Sequence, residues 1–239
     1  IDNIMGFSHI HDWTMAGLLM LPMTGHLQTQ PGPEGNPDLG YRSRIDKKTE
    51  KATVGKYEVD LLDYDIHAEL TATTRASMQR YTFPKNEEPK ILIDLHFPAE
   101  YTWDLIDAQV TKVNDTEIEG WVQSHCSYSG YAGENDYRLH FVIPLDQKIQ
   151  QMDGWVQDRV RENIKTLNKK TYEKVWAHHL KKDWEMRDAG LFLSFPKEVE
   201  QVQVRTGISF VSIEEARLNL TEEIVKPFDW NFEAVVTNQ

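Results

Sequence analysis

One cysteine, Cys126, is all that the 239 residues contain, so neither an intrachain disulfide nor a cysteine-rich zinc site can form. The adjacent His125 would point to the opposite face of a strand carrying both, which argues against a thiol–imidazole nucleophile. Long apolar runs are missing as well. The longest, around Ala16-Gly-Leu-Leu-Met-Leu21, ends at Pro22 and is far too short to cross a bilayer. Positive charge is scarce: 26 Lys and Arg stand against 38 Asp and Glu, a net charge of −12. Such a chain has no basic face for a phosphate backbone, and nucleic acid is excluded as a partner. No charged n-region with an apolar segment and cleavage site opens the sequence, so a secretory signal is absent or already removed. There is no Gly-x-Ser-x-Gly elbow, phosphate-cradling glycine loop or Cys-x-x-Cys, and no internal repeat or low-complexity tract.

What is present is strand material. Glu69-Leu-Thr-Ala-Thr-Thr-Arg75, continuing through Arg80-Tyr-Thr-Phe-Pro84, alternates small or polar with apolar residues, is rich in threonine, and stops at a proline that cannot donate to a sheet. Further strand-like runs are Lys56 to Leu62, Ile66 to Ala76, Ile91 to Phe97, Ile106 to Val113, Arg138 to Ile143 and Leu191 to Phe195, separated by turn chemistry such as Asn114-Asp115. Along 201–210, Val202, Val204, Thr206, Ile208 and Phe210 share one face while Gln203, Arg205 and Gly207 share the other. The spacing predicts a mainly β protein, a large antiparallel sandwich.

Other segments break the pattern. Gln30 to Gly40 packs three prolines and three glycines into eleven residues and reads as a surface loop. Ser212-Ile-Glu-Glu215 is a capping box, followed by Ala216, Leu220 and Ile224 at helical spacing before Pro227. Val156, Val160, Ile164 and Leu167, in a region rich in Lys, Glu, Arg and Trp, predict a helical insertion over 150–188. His178-His179 inside it reads as part of a solvated face. The expected organisation is a β-sandwich over 1–213 and helices over 214–239.

His9, His11 and Trp13 form the tight constellation of functional side chains. On an extended chain they share a face, offering two imidazoles and an indole. The grouping suits half of a metal site, completed by His26, or a sugar site in which an aromatic plane packs on a pyranose while polar neighbours bond its hydroxyls, or a locally satisfied histidine pair. Hydrolysis of a glycosidic bond needs two carboxyl groups. Among Asp60, Asp63, Asp65, Glu69, Asp94, Asp104, Asp107 and Asp136 no pair is singled out by motif.

Ile4-Met-Gly-Phe-Ser-His9, Leu21-Pro-Met-Thr-Gly25, Gly55-Lys-Tyr-Glu-Val59, the Glu69 to Pro84 stretch and Gly207 to Ala216, in this order, resemble the N-terminal β-domain of glycoside hydrolase family 92, calcium-dependent exo-α-mannosidases that often cleave α-1,2 linkages. The resemblance implies a β-sandwich beside an (α/α)₆ barrel that carries the general acid, the general base and the calcium ligands. No catalytic residue and no metal ligand is then expected on this chain. It would supply one wall of a mannoside pocket from His9, His11, Trp13 and Gly25, support the barrel through its last helices, and be silent alone. The implied partners are a mannose-containing glycan and the barrel, and the implied setting is bacterial glycan degradation in the periplasm or outside the cell. Asp12-Trp13-Thr-Met-Ala-Gly17 departs from the glycine-rich stretch of many members, so the pocket differs there. The alternatives are a stand-alone, non-catalytic carbohydrate-binding sandwich, with Trp103, Trp121, Trp155, Trp176, Trp184 and Trp230 as material for aromatic platforms, and a small metal enzyme on His9, His11 and His26.

Overall fold

The computed structural model describes residues 2–12, 15–96, 103–126, 135–157, 159–176 and 185–239. In chain order the strands are β1 (Asn3–Ile4), β2 (Phe7–Asp12), β3 (Met15–Met23), β4 (Ser43–Arg44), β5 (Lys51–Thr53), β6 (Lys56–Leu61), β7 (Ile66–Ala72), β8 (Ala76–Thr82) and β9 (Lys90–Asp94). They continue with β10 (Trp103–Asn114), β11 (Glu117–Cys126), β12 (Asn135–Pro144), β13 (Gln151–Val156), β14 (Arg159–Arg161), β15 (Thr166–Leu167), β16 (Ala189–Ser194) and β17 (Gln201–Ser209). The helices are α1 (Lys169–Trp176), α2 (Ile213–Leu220), α3 (Lys226–Phe228) and α4 (Phe232–Thr237).

A nine-stranded sheet runs β15-β10-β11-β12-β17-β8-β7-β6-β5, and a six-stranded sheet runs β14-β13-β16-β9-β3-β2; β1 and β4 form a small third sheet. The paired strands are antiparallel. One core cluster draws Ala68, Tyr81, Val122, Phe141, Val202 and Val204 from the larger sheet and Leu21, Leu92, Trp155 and Phe192 from the smaller, so the two face each other as a sandwich. The mainly β fold expected from the alternation is the one observed. The strand over 201–209 keeps its predicted faces, with Val202 and Val204 in the core.

The segment 151–188 corrects its sequence reading. In its described part, Gln151–Val156 is a strand inside the six-stranded sheet, β14 and β15 follow, and helix is confined to Lys169–Trp176. Met152, Trp155 and Val156 are wholly buried. A strand covered on both faces shows no period of two, and the helical spacing of its valines was a coincidence of side chains serving different strands. His178 and His179 lie outside the described residues. The Pro/Gly-rich segment behaves as read: it holds a single 3₁₀ turn, Pro37–Leu39, and leads into Tyr41, which is fully buried.

The C-terminal helices lie on the outer face of the larger sheet. Ser212 Oγ accepts the Glu215 N–H at 3.1 Å, the predicted cap. Leu220, Ile224, Phe232 and Val235 pack on Ala76 and Met78 of β8, each large side chain contributing about 1.5–3 kcal/mol. Gly207 makes the close approach possible, because a Cβ there would stand 2.3 Å from the Ala216 carbonyl oxygen and 2.6 Å from Leu220 Cβ. Two guanidinium groups tie the helices down through ring faces: Arg205 lies 3.6 Å from the Trp230 ring centre and Arg80 lies 4.3 Å from that of Phe232.

Candidate functional site

The β2–β3 hairpin carries the histidines, and its geometry breaks at one point. Ser8 pairs with Leu19 and Ile10 with Gly17, but Leu18, opposite His9, has φ +53°, a left-handed conformation unusual for a leucine. Its carbonyl turns toward the imidazole and accepts from His9 Nδ1 at 2.8 Å. Since a carbonyl only accepts, Nδ1 carries the proton and Nε2 presents its lone pair to the Gln79 amide N–H, 3.2 Å away. The Gln79 carbonyl in turn accepts the buried Tyr81 hydroxyl. His9 keeps some accessible surface, yet its ring is enclosed, and burial drives its pKa down to about 4, opposed only in part by the bond to Leu18. At neutral pH it is an uncharged imidazole of fixed tautomer.

This relay lines a cavity of about 440 Å³ that opens between Ser8 and His9 of β2 and the strands β6, β7, β8 and β17. Alternation puts Leu70, Ser77, Gln79 and Thr206 on the inner face. Ser77 and Thr206 are cross-strand partners, and the hydroxyls of both lack a hydrogen-bond partner within the described chain. Among its described lining residues there is no Asp or Glu. Its rim is braced from outside: Glu223, beyond α2, accepts from Thr73 Oγ1 at 2.6 Å, Arg75 N at 2.9 Å and Arg75 Nε at 2.7 Å. The last residue, Gln239, lies against Gly55 in the β5–β6 turn on the same rim.

Of the site residues that the sequence singles out, His9 lines this cavity. His11 lies two residues further along β2, its backbone opposite Ala16, and Trp13 lies outside the described residues. Gly25 stands past the other end of β3, with φ +77° and its carbonyl accepting from Lys90 Nζ at 3.3 Å. The part of β3 from Leu18 to Met23 that separates Gly25 from His9 spans on the order of 15–20 Å. His26 is beside Gly25 and exposed, so it does not complete a metal site with His9. Gln79, Ser77 and Thr206 were missed. Their strands were legible, but which alternate positions meet His9 depends on how the sheets stack.

Among the described residues one cluster has metal-ligand spacing. Ligand atoms of Glu58, His67 and Glu69 lie within 4.8 Å of one another. Cations of the protein already occupy it. Lys56 Nζ sits 2.7 Å from Glu58 and 2.6 Å from Glu69, and Arg80 grips Glu69 through two bonds of 2.5 and 2.7 Å. Arg80 above all, with Lys56, holds the Glu69 pKa at about 2, and Lys51 and Lys56 do the same for Glu58. Calcium takes six to eight oxygen ligands, and this cross-strand ion row does not fit it.

A second pair of acids lies under the Pro/Gly-rich segment, Asp94 fully and Asp188 partly buried. Asp94 accepts the Tyr41 hydroxyl at 2.6 Å, while Asp188 accepts from Trp155 Nε1 at 3.1 Å and Gln30 Nε2 at 2.5 Å. Burial first, then the charge of Asp94, lifts the Asp188 pKa to about 6. Both Asp188 oxygens are taken up in pinning the segment to the six-stranded sheet, which is a structural task.

The open end of the sandwich is lined by hydroxyl, amide and neutral imidazole groups, a lining that suits a polyhydroxylated ligand. Comparison with known proteins is specific: residues 1–209 match the glycosyl hydrolase family 92 N-terminal domain, and the chain belongs to that family. No curated protein matches it. The family GH92 α-mannosidase BT3965 from Bacteroides thetaiotaomicron superposes with a TM-score of 0.77 at 27% identity, over 99% of this chain and 30% of that one. The same mannosidase in complex with mannoimidazole gives 0.76. The inverting mannosidase BT2199 from Bacteroides thetaiotaomicron VPI-5482 shares the fold, with a TM-score of 0.72 at 16% identity over 99% of this chain and 28% of that one. The chain thus spans less than a third of the length of these structures. No helix among the described residues is long and apolar enough to cross a membrane.

Proposed function

We propose that this chain is the N-terminal part of an inverting exo-α-mannosidase acting on mannose-containing glycans, and that it shapes and supports the substrate pocket without performing proton transfer. The carrying observation is the cavity beside His9: polar groups able to bond sugar hydroxyls converge there, and its described lining holds no carboxyl group. An inverting glycosidase needs an acid and a base set apart by roughly 6.5–9.5 Å, with room for a water. In this reading both come from a C-terminal barrel, together with the ligands of calcium, the Lewis acid that the family resemblance implies. In this reading His9, which lines the cavity, contributes to sugar binding together with His11 and Trp13, while Gly25, past the far end of β3, serves the scaffold. The docked helices α2 to α4 brace the pocket rim through Glu223 and Gln239 and in this reading support the barrel. A setting in the periplasm or outside a bacterial cell suits this activity on glycans.

The test uses an aryl α-mannoside with calcium. The 239-residue chain is expected to show no turnover, while the longer polypeptide that carries it hydrolyses the substrate and releases β-mannose first, observed by NMR at the anomeric proton. Turnover by the 239 residues alone would overthrow the division of labour, and α-mannose as first product would overthrow inversion.

A further inference from the structure

The outer face of the nine-stranded sheet carries a second constellation, away from the cavity. Trp121, at the centre of β11, stands between Gln109 of β10 and His140 of β12. It belongs to the face opposite the core, into which its neighbours Val122 and Ala108 point. On one side the indole is covered by Arg138, whose guanidinium carbon is 4.0 Å from the ring centre and whose Nη2 donates to Gln123 Oε1 at 2.7 Å. The ring is thereby fixed before any ligand arrives.

Trp121 also borders a hollow of about 200 Å³, whose other walls are Asp107 and Gln109 of β10 and Asn168, Lys169 and Lys170 at the start of α1. Sheet geometry builds it. A register shift between Leu105 and Asp107 re-aims the β10 side chains, and pairing of Val110 with Leu167 brings the α1 start alongside. Asn168 Oδ1 accepts from Thr171 N and Oγ1 at 2.9 and 3.0 Å, which orients its amide. The result is an indole, two amides, a carboxylate and ammonium groups around a space of monosaccharide size. An indole covers the apolar face of a pyranose, and carboxylate and amide groups bond vicinal hydroxyls.

We infer that this hollow at Trp121 is a second carbohydrate site, holding one neutral pyranose unit of a glycan whose end is processed elsewhere. The site lies on the other face of the sheet from the His9 cavity, so it adds glycan retention and leaves the chemistry alone. The choice of α-mannan as probe rests on the mannosidase reading; the chemistry of the hollow requires only a pyranose.

Affinity electrophoresis of the 239-residue chain through gels containing soluble α-mannan tests it, with xylan, galactan and β-glucan gels run in parallel. Retardation is expected in at least one gel, reduced at least tenfold in apparent affinity by Trp121→Ala and several-fold by Asp107→Asn or Gln109→Ala. Gln109 is exposed, so Gln109→Ala leaves the melting temperature in place and decides the matter even where Trp121→Ala unfolds. In the longer polypeptide, Gln109→Ala is expected to leave hydrolysis of an aryl α-mannoside unchanged. Retardation by other polysaccharides but not by α-mannan keeps the site and counts against the mannoside reading. Retardation by none of the four, or retardation equal in wild type and all three variants, overturns the site while leaving that reading standing.

Discussion

His9 and Asp188 are both enclosed ionisable side chains, and in each the same cause, burial, disfavours the charged form and so shifts the two pKa values in opposite directions. Burial lowers the imidazole to about 4 and raises the carboxyl to about 6. Their surroundings differ in what is left over. Around His9 every bond assumes the neutral ring, and the cavity beside it still offers unpartnered hydroxyls. Around Asp188 two N–H donors, from Trp155 and Gln30, hold the carboxyl, and Asp94 is the charge that opposes its ionisation. The comparison separates a wall that can accept a ligand from a fastening that is complete.

The largest expected effect comes from removing the imidazole. His9→Ala strands the Leu18 carbonyl and the Gln79 amide and enlarges the cavity, for a loss of about 3 kcal/mol in urea unfolding at pH 7.5. Asp188→Asn is expected to gain about 1 kcal/mol there, since it deletes a buried charge beside Asp94 at the cost of one acceptor. A loss of 3 kcal/mol from both variants would erase the distinction.

Stability as a function of pH sharpens the contrast. The His9 pKa is depressed, so the unfolded chain takes up its proton first, and about 3 kcal/mol is lost as pH falls from 6.5 to 4. The Asp188 pKa is raised. Its contribution, also about 3 kcal/mol, is full below pH 3.8 and is lost as pH rises through 6. The two slopes nearly cancel between pH 4 and 6. Asp188→Asn is expected to expose a steep loss of stability on acidification, and His9→Gln to flatten or reverse it. Parallel slopes for wild type and both variants in chemical denaturation would sink this account.

Legibility followed the same division. Strands that set polar against apolar residues on alternate positions, such as β7 and β17, could be read from the sequence, and the cap at Ser212 from its spacing. β13 could not, because Met152, Trp155 and Val156 are covered from both sides and carry no period. His9 stood out in the sequence, but the side chains that meet it did not. Gln79 and Thr206 meet it only through the stacking of two sheets, and Gly25 was set in the same pocket although the length of β3 separates them. Asp188 was invisible because its pKa comes from burial, which composition does not announce, and then from Asp94, 94 residues away in sequence.

The smallest effect belongs to the charges that look most numerous. Lys51, Glu58, Lys56, Glu69, Arg80 and Glu233 form a continuous row from β5 to α4. Glu233 is 64% exposed at its outer end, and Arg80 keeps both the bidentate Glu69 contact and the Phe232 ring without it. Glu233→Gln is therefore expected to cost less than about 1 kcal/mol, and less still in 0.5 M salt. Arg80→Met cuts deeper, because it leaves the nearly buried Glu69 with Lys56 alone. A Glu233→Gln loss as large as that of Arg80→Met, unchanged by salt, would mean that the row acts as one unit and that the C-terminal helices are held by charge rather than by Phe232, Val235 and Ile224.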